Sequence, residues 1–497
     1  MEKRYILSVD QSTQGTKALL FDENGTLVAR AYKSHQQLVD ANGWVEHNPE
    51  EILQNTLSAC REAILSAGIE QHTVIAMGLS NQRETVMAWD KTTGTPLYNA
   101  IVWQCARASE LCAGLSVFSE TVKAKTGLHL SPYFSAAKLA WLLQNIPAVK
   151  NAAEQGTLCC GTMDSWLVFR LTKEHAFKTD YSNASRTQLF NIHSLEWDRE
   201  LCGIFGVPDA ALPQVCMSDS LFGTTNLDGF FETAIPICGV LGDSHAALLA
   251  QNCREPGDVK ATYGTGSSVM MQTGMLPYNS SNGLVTSLAW GLEGTVSYVL
   301  EGNINYTGAV IRWLKDIQLI ETDAESESLA HRANPEDPCY FVPAFTGLGA
   351  PYWDNGATGM FTGITRTTGK AELVKAGLEC IGYQIADLLT CMVQCIGIPL
   401  TGLRVDGGPT ANKYLMQFQS DIANTSLLVS ALQDLSGFGA AIAAGTHMGL
   451  YNGDTLKQSV RYTGYHPRTD DAWRQVKRSG WKDAVCRALS KDATTIN

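Results

Sequence analysis

Apolar runs of strand length, separated by short polar turns, open the chain: YILSVD, KALLFD and LVARAYKS stand apart at QSTQGT and ENG. Such runs bounded by Gly, Asn and Ser predict three short strands joined by tight connections. The period then lengthens. NPEEILQNTLSACREAILSAG carries Pro near its start, an acidic first turn and a terminal Gly, which predicts a helix over 49–67. TVIAMGLSNQRETVMAWD returns to strand, its polar residues falling where the strand runs out into a loop, and further helices are expected over 136–144 and 164–172. The strand-like IPICGVLG then leads through a Gly-Asp turn into the Ala-rich helix of GDSHAALLAQ.

The second half repeats the plan. DVKATYGTGSSVMMQTG reads as another hairpin with a Gly/Thr/Ser loop, long helices follow over 308–316 and 371–394, and the strand LRVDGG meets a helix beginning near Ala411. GFGAAIAAG supplies a small-residue helix suited to close packing. Two hairpins with hydroxyl-rich turns, one per half, suggest a pseudo-symmetric pair of domains, 1–250 and 251–497. A chain of 497 residues also exceeds what one hydrophobic core of about 250–300 residues organises.

Charge and cysteine usage narrow the function classes. A net charge of -12 argues against a nucleic-acid surface or an anionic-membrane partner, so any phosphate must be held locally. No run approaches the roughly 20 apolar residues of a membrane span, and MEKRYILSVD has no signal-peptide core. The 14 cysteines are scattered, and Cys391 and Cys395 lack a second pair for a zinc site, so buried thiols in a reducing, cytoplasmic compartment are expected.

Three strand-end loops could hold phosphate. The first runs from Asp10 to Thr16, where backbone N–H groups and hydroxyls can cradle phosphate while Asp10 holds magnesium directly or through water; the alternative is a plain hairpin turn. The second is Tyr263 to Ser267, whose glycines permit close backbone approach to a ligand. The third is Asp406-Gly407-Gly408 with Asn412 a turn beyond, a strand-to-helix junction at a sheet's carboxyl edge. Gly369-Lys370 lacks the earlier Gly and the following Ser or Thr of a Walker A loop. Asp243 opens a helix, where the dipole favours its ionised form or where it is simply an N-cap. Arg83 and Glu84 pair a donor and an acceptor able to grip vicinal hydroxyls, or form a surface ion pair; Trp103 and Tyr133 offer flat walls to a carbon chain, or belong to the core.

Taken together, VDQSTQGTKALLFD, SNQRET, NAIVWQ, GDSHAALLAQ, TYGTGS, YFVPAFTGLGAPYWD and LRVDGG resemble the FGGY carbohydrate kinases, most closely their glycerol kinase branch, over nearly the whole chain. The resemblance implies an α/β fold of two actin-like (ribonuclease H-like) domains, each a mixed β-sheet flanked by helices, with ATP and acceptor meeting in the cleft between them. It implies Asp10 and Asp243 at magnesium and Asp243 as the base. It places Thr13, Gln14, Lys17, Thr265, Gly266, Gly308, Arg312, Gly408 and Asn412 on ATP. Arg83, Glu84, Trp103, Tyr133, Asp243, Ser244 and Ser268 fall at the acceptor. A small polyol or sugar is the implied substrate, glycerol foremost, in a cytoplasmic homodimer or homotetramer.

Departures cluster where the acceptor is read. Ser244 and then His245 follow the base where such kinases carry Gln, Ser268 replaces an aromatic over the carbon chain, and Arg312 stands where Gln is common. TTNLDGFFETAIPICG lacks the Gly-Gly-Arg arrangement of a fructose-1,6-bisphosphate site, and lacks the histidine phosphorylated in some relatives. A larger polyol or ketose (erythritol, xylulose or ribulose type) is the alternative acceptor, and a non-catalytic actin-like ATP-binding switch the alternative of another class.

Overall fold

The computed structural model describes residues 3–280, 283–452 and 460–490. The opening meander forms as expected, with strands Tyr5–Gln11, Gly15–Phe21 and Leu27–Ser34 pairing antiparallel in turn. Val74–Asn81 and then Ile235–Gly242 add in parallel beside Tyr5–Gln11, and Gly223–Thr225 closes the six-stranded sheet antiparallel. Tyr5–Gln11 is buried at every position because helices cover both faces, whereas the edge strand Leu27–Ser34 mostly alternates exposed with half-buried residues. Pro49–Ala67 is helical with the expected ends: Asn48 caps it and Gly68 leaves it in the left-handed region.

A seven-stranded sheet in the second half has the same centre. Asp258–Tyr263 pairs antiparallel with Ser267–Gly274 on one side and parallel with Gly402–Asp406 on the other, and Leu427–Ser430 extends the parallel run. The antiparallel strands Thr295–Ile304 and Val285–Leu292 extend the other edge. Both halves are therefore mixed α/β sheets with a hairpin loop and parallel strand ends along one rim.

Two features differ from the pattern reading. TVIAMGLSNQRETVMAWD is two strands in two sheets: Val74–Asn81 belongs to the first sheet and Val86–Asp90 to a separate five-stranded sheet. Residues 82–85 turn between them, and Glu84 takes φ 60°, a left-handed conformation uncommon for a side-chain-bearing residue. The second difference is the helix Lys370–Ile396, long and apolar enough to cross a membrane but 83% buried within the fold over its apolar window. It is the core helix of the second half, packed on Lys413–Ala423 and Asp323–Arg332.

The helix Leu435–His447 comes late in the chain yet packs on the first sheet, against Val74–Asn81, Ile235–Gly242 and the helix Asp243–Ala250. Its small residues are required by that contact. A β-carbon on Gly439 would lie 1.9 Å from the Ala246 carbonyl oxygen, and one on Gly78 would lie 2.3 Å from that of Ala440. Asp434, at its start, accepts from Lys17 Nζ at 2.9 Å and pairs with Arg30 at 3.3 Å, joining the two ends of the chain beside the first loop.

Candidate active site

The first loop closes on itself: the amide and hydroxyl of Ser12 both donate to the Gly15 carbonyl, at 2.9 and 2.8 Å. Gly15 is required, because a β-carbon there would meet the Lys33 carbonyl at 2.5 Å. Thr13 and Gln14 form the loop's tip. The Trp103 indole donates to Thr13 Oγ1 at 3.0 Å, so the expected acceptor wall and the expected phosphate contact are bonded to each other. Because Thr13 Oγ1 is the acceptor in that bond, its own proton remains to be donated elsewhere. Lys17 is opposite Asp10 in the sheet register, and its ammonium lies 2.9 Å from Asp434 and 3.9 Å from Asp10. It is committed to those carboxylates at the base of the loop.

In the second half, Gly264, Thr265 and Gly266 fold against the start of the helix Gly308–Asp316. Gly308 N donates to Gly264 O at 2.9 Å and Ala309 N to Thr265 O at 3.0 Å. Gly407, at φ 102°, brings the third loop against the second, and a β-carbon there would fall 2.0 Å from the Tyr263 carbonyl oxygen. These loops floor a cavity of about 1260 Å³ lined also by Arg312, Trp313, His331, Gly408 and Asn412. Asn412 lines it while its side chain is occupied, capping Lys413–Ala423 by accepting from Leu415 N at 2.9 Å and donating to Ser326 Oγ at 3.1 Å. Arg312 is exposed on the cavity wall.

The carboxylates expected at the metal stand at two strand ends of the first sheet. Asp10 is 6% exposed, and its pKa is pushed up to about 6, first by burial and further by repulsion from Asp243 and Asp434, with Lys17 opposing. Among the described residues no cluster of three or more His, Cys, Asp or Glu could hold a metal. Two mutually repelling carboxylates beside phosphate loops still fit magnesium, which keeps several waters and takes only one or two carboxylates plus substrate phosphates. Asp243 follows the strand Ile235–Gly242 and begins the helix Asp243–Ala250. Its Oδ1 accepts from the Ser244 amide at 2.6 Å and lies 3.2 Å from Arg83 Nε.

Arg83 and Glu84 do not present a free donor-acceptor pair. Both terminal nitrogens of Arg83 donate to Glu301, each at 3.0 Å, while Glu84 Oε1 accepts from Arg186 Nε at 2.6 Å. Arg186 Nη1 also comes within 2.8 Å of Glu301 Oε2, without the alignment of a hydrogen bond. All four side chains are buried. Burial alone would raise the Glu301 pKa, but the Arg186 and Arg83 guanidiniums outweigh it and hold the carboxylate well below its usual range. Burial opposes the charge on Arg83, and Glu301, Glu84 and Asp243 more than restore it. The surface ion pair considered from the sequence is thus a buried four-member lattice.

Trp103 and Tyr133 meet edge to face, with centroids 5.5 Å apart. Behind them Lys138 is fully buried, its ammonium donating to the carbonyls of Tyr133 and Phe134, and burial lowers its pKa to about 7. Ser268 and Asn303 face each other across two strands of the second sheet, each 3.4 Å from Glu301 Oε1. Ser244 is half-buried next to Asp243, whereas His245 is fully buried, its Nε2 3.3 Å from Ser287 Oγ. The histidine belongs to the packing between the halves. Glu301, Arg186, Lys138 and Asp434 carry no motif of their own, and a buried charge is recognisable only once its burial is known.

The N-terminal domain model of the FGGY family of carbohydrate kinases matches residues 5–250 and its C-terminal domain model residues 259–448. The chain belongs to that family. It is 46% identical over 492 residues to glycerol kinase 1 of Thermotoga maritima, covering 98% of this chain and 100% of that one. It is 44% identical to the glycerol kinase of Carboxydothermus hydrogenoformans, covering 98% and 99%. A crystal structure of Plasmodium falciparum glycerol kinase with ADP matches with a TM-score of 0.94 at 36% identity, covering 98% of this chain and 99% of that one. A xylulose kinase from Lactobacillus acidophilus shares the fold, with a TM-score of 0.87 at 22% identity over 97% of each chain.

Proposed function

We propose that this FGGY kinase transfers the γ-phosphoryl group of ATP to a terminal hydroxyl of glycerol, with Asp243 as the base. The observation that carries the reading is the asymmetric hold on Asp243. One carboxylate oxygen is engaged by the Ser244 amide and faces Arg83, while the other has no protein partner among the described residues. The side chain is 34% exposed. An ionised carboxylate fixed by one oxygen can take a hydroxyl proton on the other as the oxygen attacks phosphorus. Phosphoryl transfer asks the protein mainly for alignment and charge stabilisation.

ATP would lie in the 1260 Å³ cavity of the second half, its phosphates reaching toward Thr265, Gly266 and the Thr13 hydroxyl. Asp10 and Asp243 would hold magnesium, which when bound neutralises charge on the transferring group. Trp103 and Tyr133 would flank the carbon chain, and Asp243, Arg83 and Glu84 would surround its hydroxyls. Full-length similarity to glycerol kinases supports glycerol as the acceptor. The 14 free thiols are consistent with a reducing, cytoplasmic setting. The test is ADP release from ATP and magnesium with glycerol, erythritol, pentitols and ketopentoses supplied in turn. Glycerol should give the highest kcat/KM; turnover without any acceptor dependence would sink the assignment.

A further inference from the structure

We propose that Glu301 is a positioning residue of the acceptor site, acting through Arg83 on the orientation of Asp243. This rests on Asp243 being the base. Glu301 lies on Thr295–Ile304 in the sheet of the second half, whereas Arg83 and Asp243 belong to the first sheet and its connections. Its side chain is wholly buried and takes both terminal nitrogens of Arg83 at 3.0 Å. A guanidinium is planar and rigid, so fixing that pair fixes the direction of Nε as well. Nε is the atom left over, 3.2 Å from Asp243 Oδ1. Gly242 leaves room for this approach, since a β-carbon there would lie 2.7 Å from Arg83 Cγ.

The charges reinforce the geometry. Arg83 and Arg186 are balanced by Glu84 and Glu301, so the lattice is neutral and adds no net charge beside the base. Without Glu301, Arg83 would keep its charge and lose its fork partner, free to turn both terminal nitrogens onto Asp243 and engage the oxygen that must accept the proton. The acceptor site is therefore complete only when a side chain from the second half reaches across to the first.

A double-mutant cycle tests this, using Glu301→Gln, Arg83→Ala and both together on the full chain. Acceptor kinetics, ATP affinity by calorimetry and thermal unfolding are measured for each. Glu301→Gln should lower kcat by about 10²-fold, the scale of a misplaced reacting group, with ATP affinity held within about twofold. The double variant should turn over no more slowly than Arg83→Ala alone, because a residue acting through Arg83 has nothing left to position. Losses that multiply, or a Glu301→Gln kcat within about twofold of wild type, would overturn the proposal. If Glu301→Gln does not fold, Glu301→Asp decides: it keeps the charge but shortens the reach, and should lose about tenfold in kcat. An unchanged kcat in that variant overturns the proposal equally. The base assignment is judged separately, by Asp243→Asn.

Discussion

Around Arg83 the two halves meet through buried charged side chains bound to one another, whereas around Gly407 the second half presents backbone to an open cavity. On the proposed acceptor side, Arg83 and Arg186 are bound to Glu301 and Glu84, buried residues drawn from both halves. On the proposed nucleotide side, glycines let loops touch and border an open volume of about 1260 Å³. The contrast suits the two ligands proposed for these walls. A small polyol offers a few hydroxyls and must be told from water, which calls for rigid, desolvated partners. A nucleotide offers phosphates and a large flat base, for which loop amides and a roomy apolar slot suffice.

If that contrast is real, the two sides should fail differently. The largest effect belongs to Asp243→Asn, which keeps the shape but cannot accept the proton; turnover should fall about 10²- to 10⁴-fold with ATP binding, measured by calorimetry, nearly intact. Retention of more than about a tenth of wild-type turnover at saturating acceptor would remove Asp243 from the role of base. Next is Gly407→Ala, which forces a β-carbon to within 2.0 Å of the Tyr263 carbonyl oxygen at φ 102°. Strain of about 1–3 kcal/mol should appear as weaker ATP binding of roughly tenfold or more, with acceptor KM at saturating ATP nearly unchanged. Equal damage to both ligands would mean that the two sides are one cooperative unit.

Ser268→Phe probes the acceptor side more gently. A ring placed beside Glu301 and Asn303 should cover the carbon chain and exclude longer acceptors, lowering kcat/KM for pentitols relative to glycerol by about tenfold. An unaltered ratio would place Ser268 outside the acceptor pocket.

The smallest expected effect is on stability and lies away from both ligands. Asp164 is buried, with one oxygen accepting from Thr179 and the other unpartnered, and its pKa is pushed up to about 7 by burial and then by repulsion from Asp180. The folded state therefore holds a proton that the unfolded chain, at the ordinary aspartate value of 3.8, releases. Between those two values stability falls as pH rises, and the full penalty is present above the folded pKa. Asp164→Asn removes the titration, so its Tm should exceed that of wild type at about pH 8, with the gap narrowing as pH falls and closing only at about pH 4. A constant offset across that range would mean that Asp164 does not titrate there.

Much of this was legible in the chain because it depends on local rules. The helix Pro49–Ala67 has its ends written by Asn48 and Gly68, and the helix Gly308–Asp316 forms over the expected residues. The three loops were visible as Gly, Ser and Thr clusters at strand ends, and Asp10 and Asp243 as acidic residues in such places. Their assembly was also foreshadowed by the family resemblance, which runs through contiguous motifs. What the sequence alone determined, then, is the order of elements, the loop chemistry and the reaction class.

The tertiary structure decided how those residues are used. Arg83 reads in the sequence as a free donor beside Glu84, yet its fork belongs to Glu301, 218 positions away. Trp103 reads as a wall, yet its indole N–H is bonded to Thr13, 90 positions away. Lys17 is placed on ATP by the resemblance, and its ammonium meets Asp434, 417 positions away, because the helix Leu435–His447 returns to the first sheet. Local pattern records the conformation a segment prefers and the chemistry it offers. Which partner consumes that chemistry depends on burial and on contacts between distant segments, and these exist only once the chain has folded.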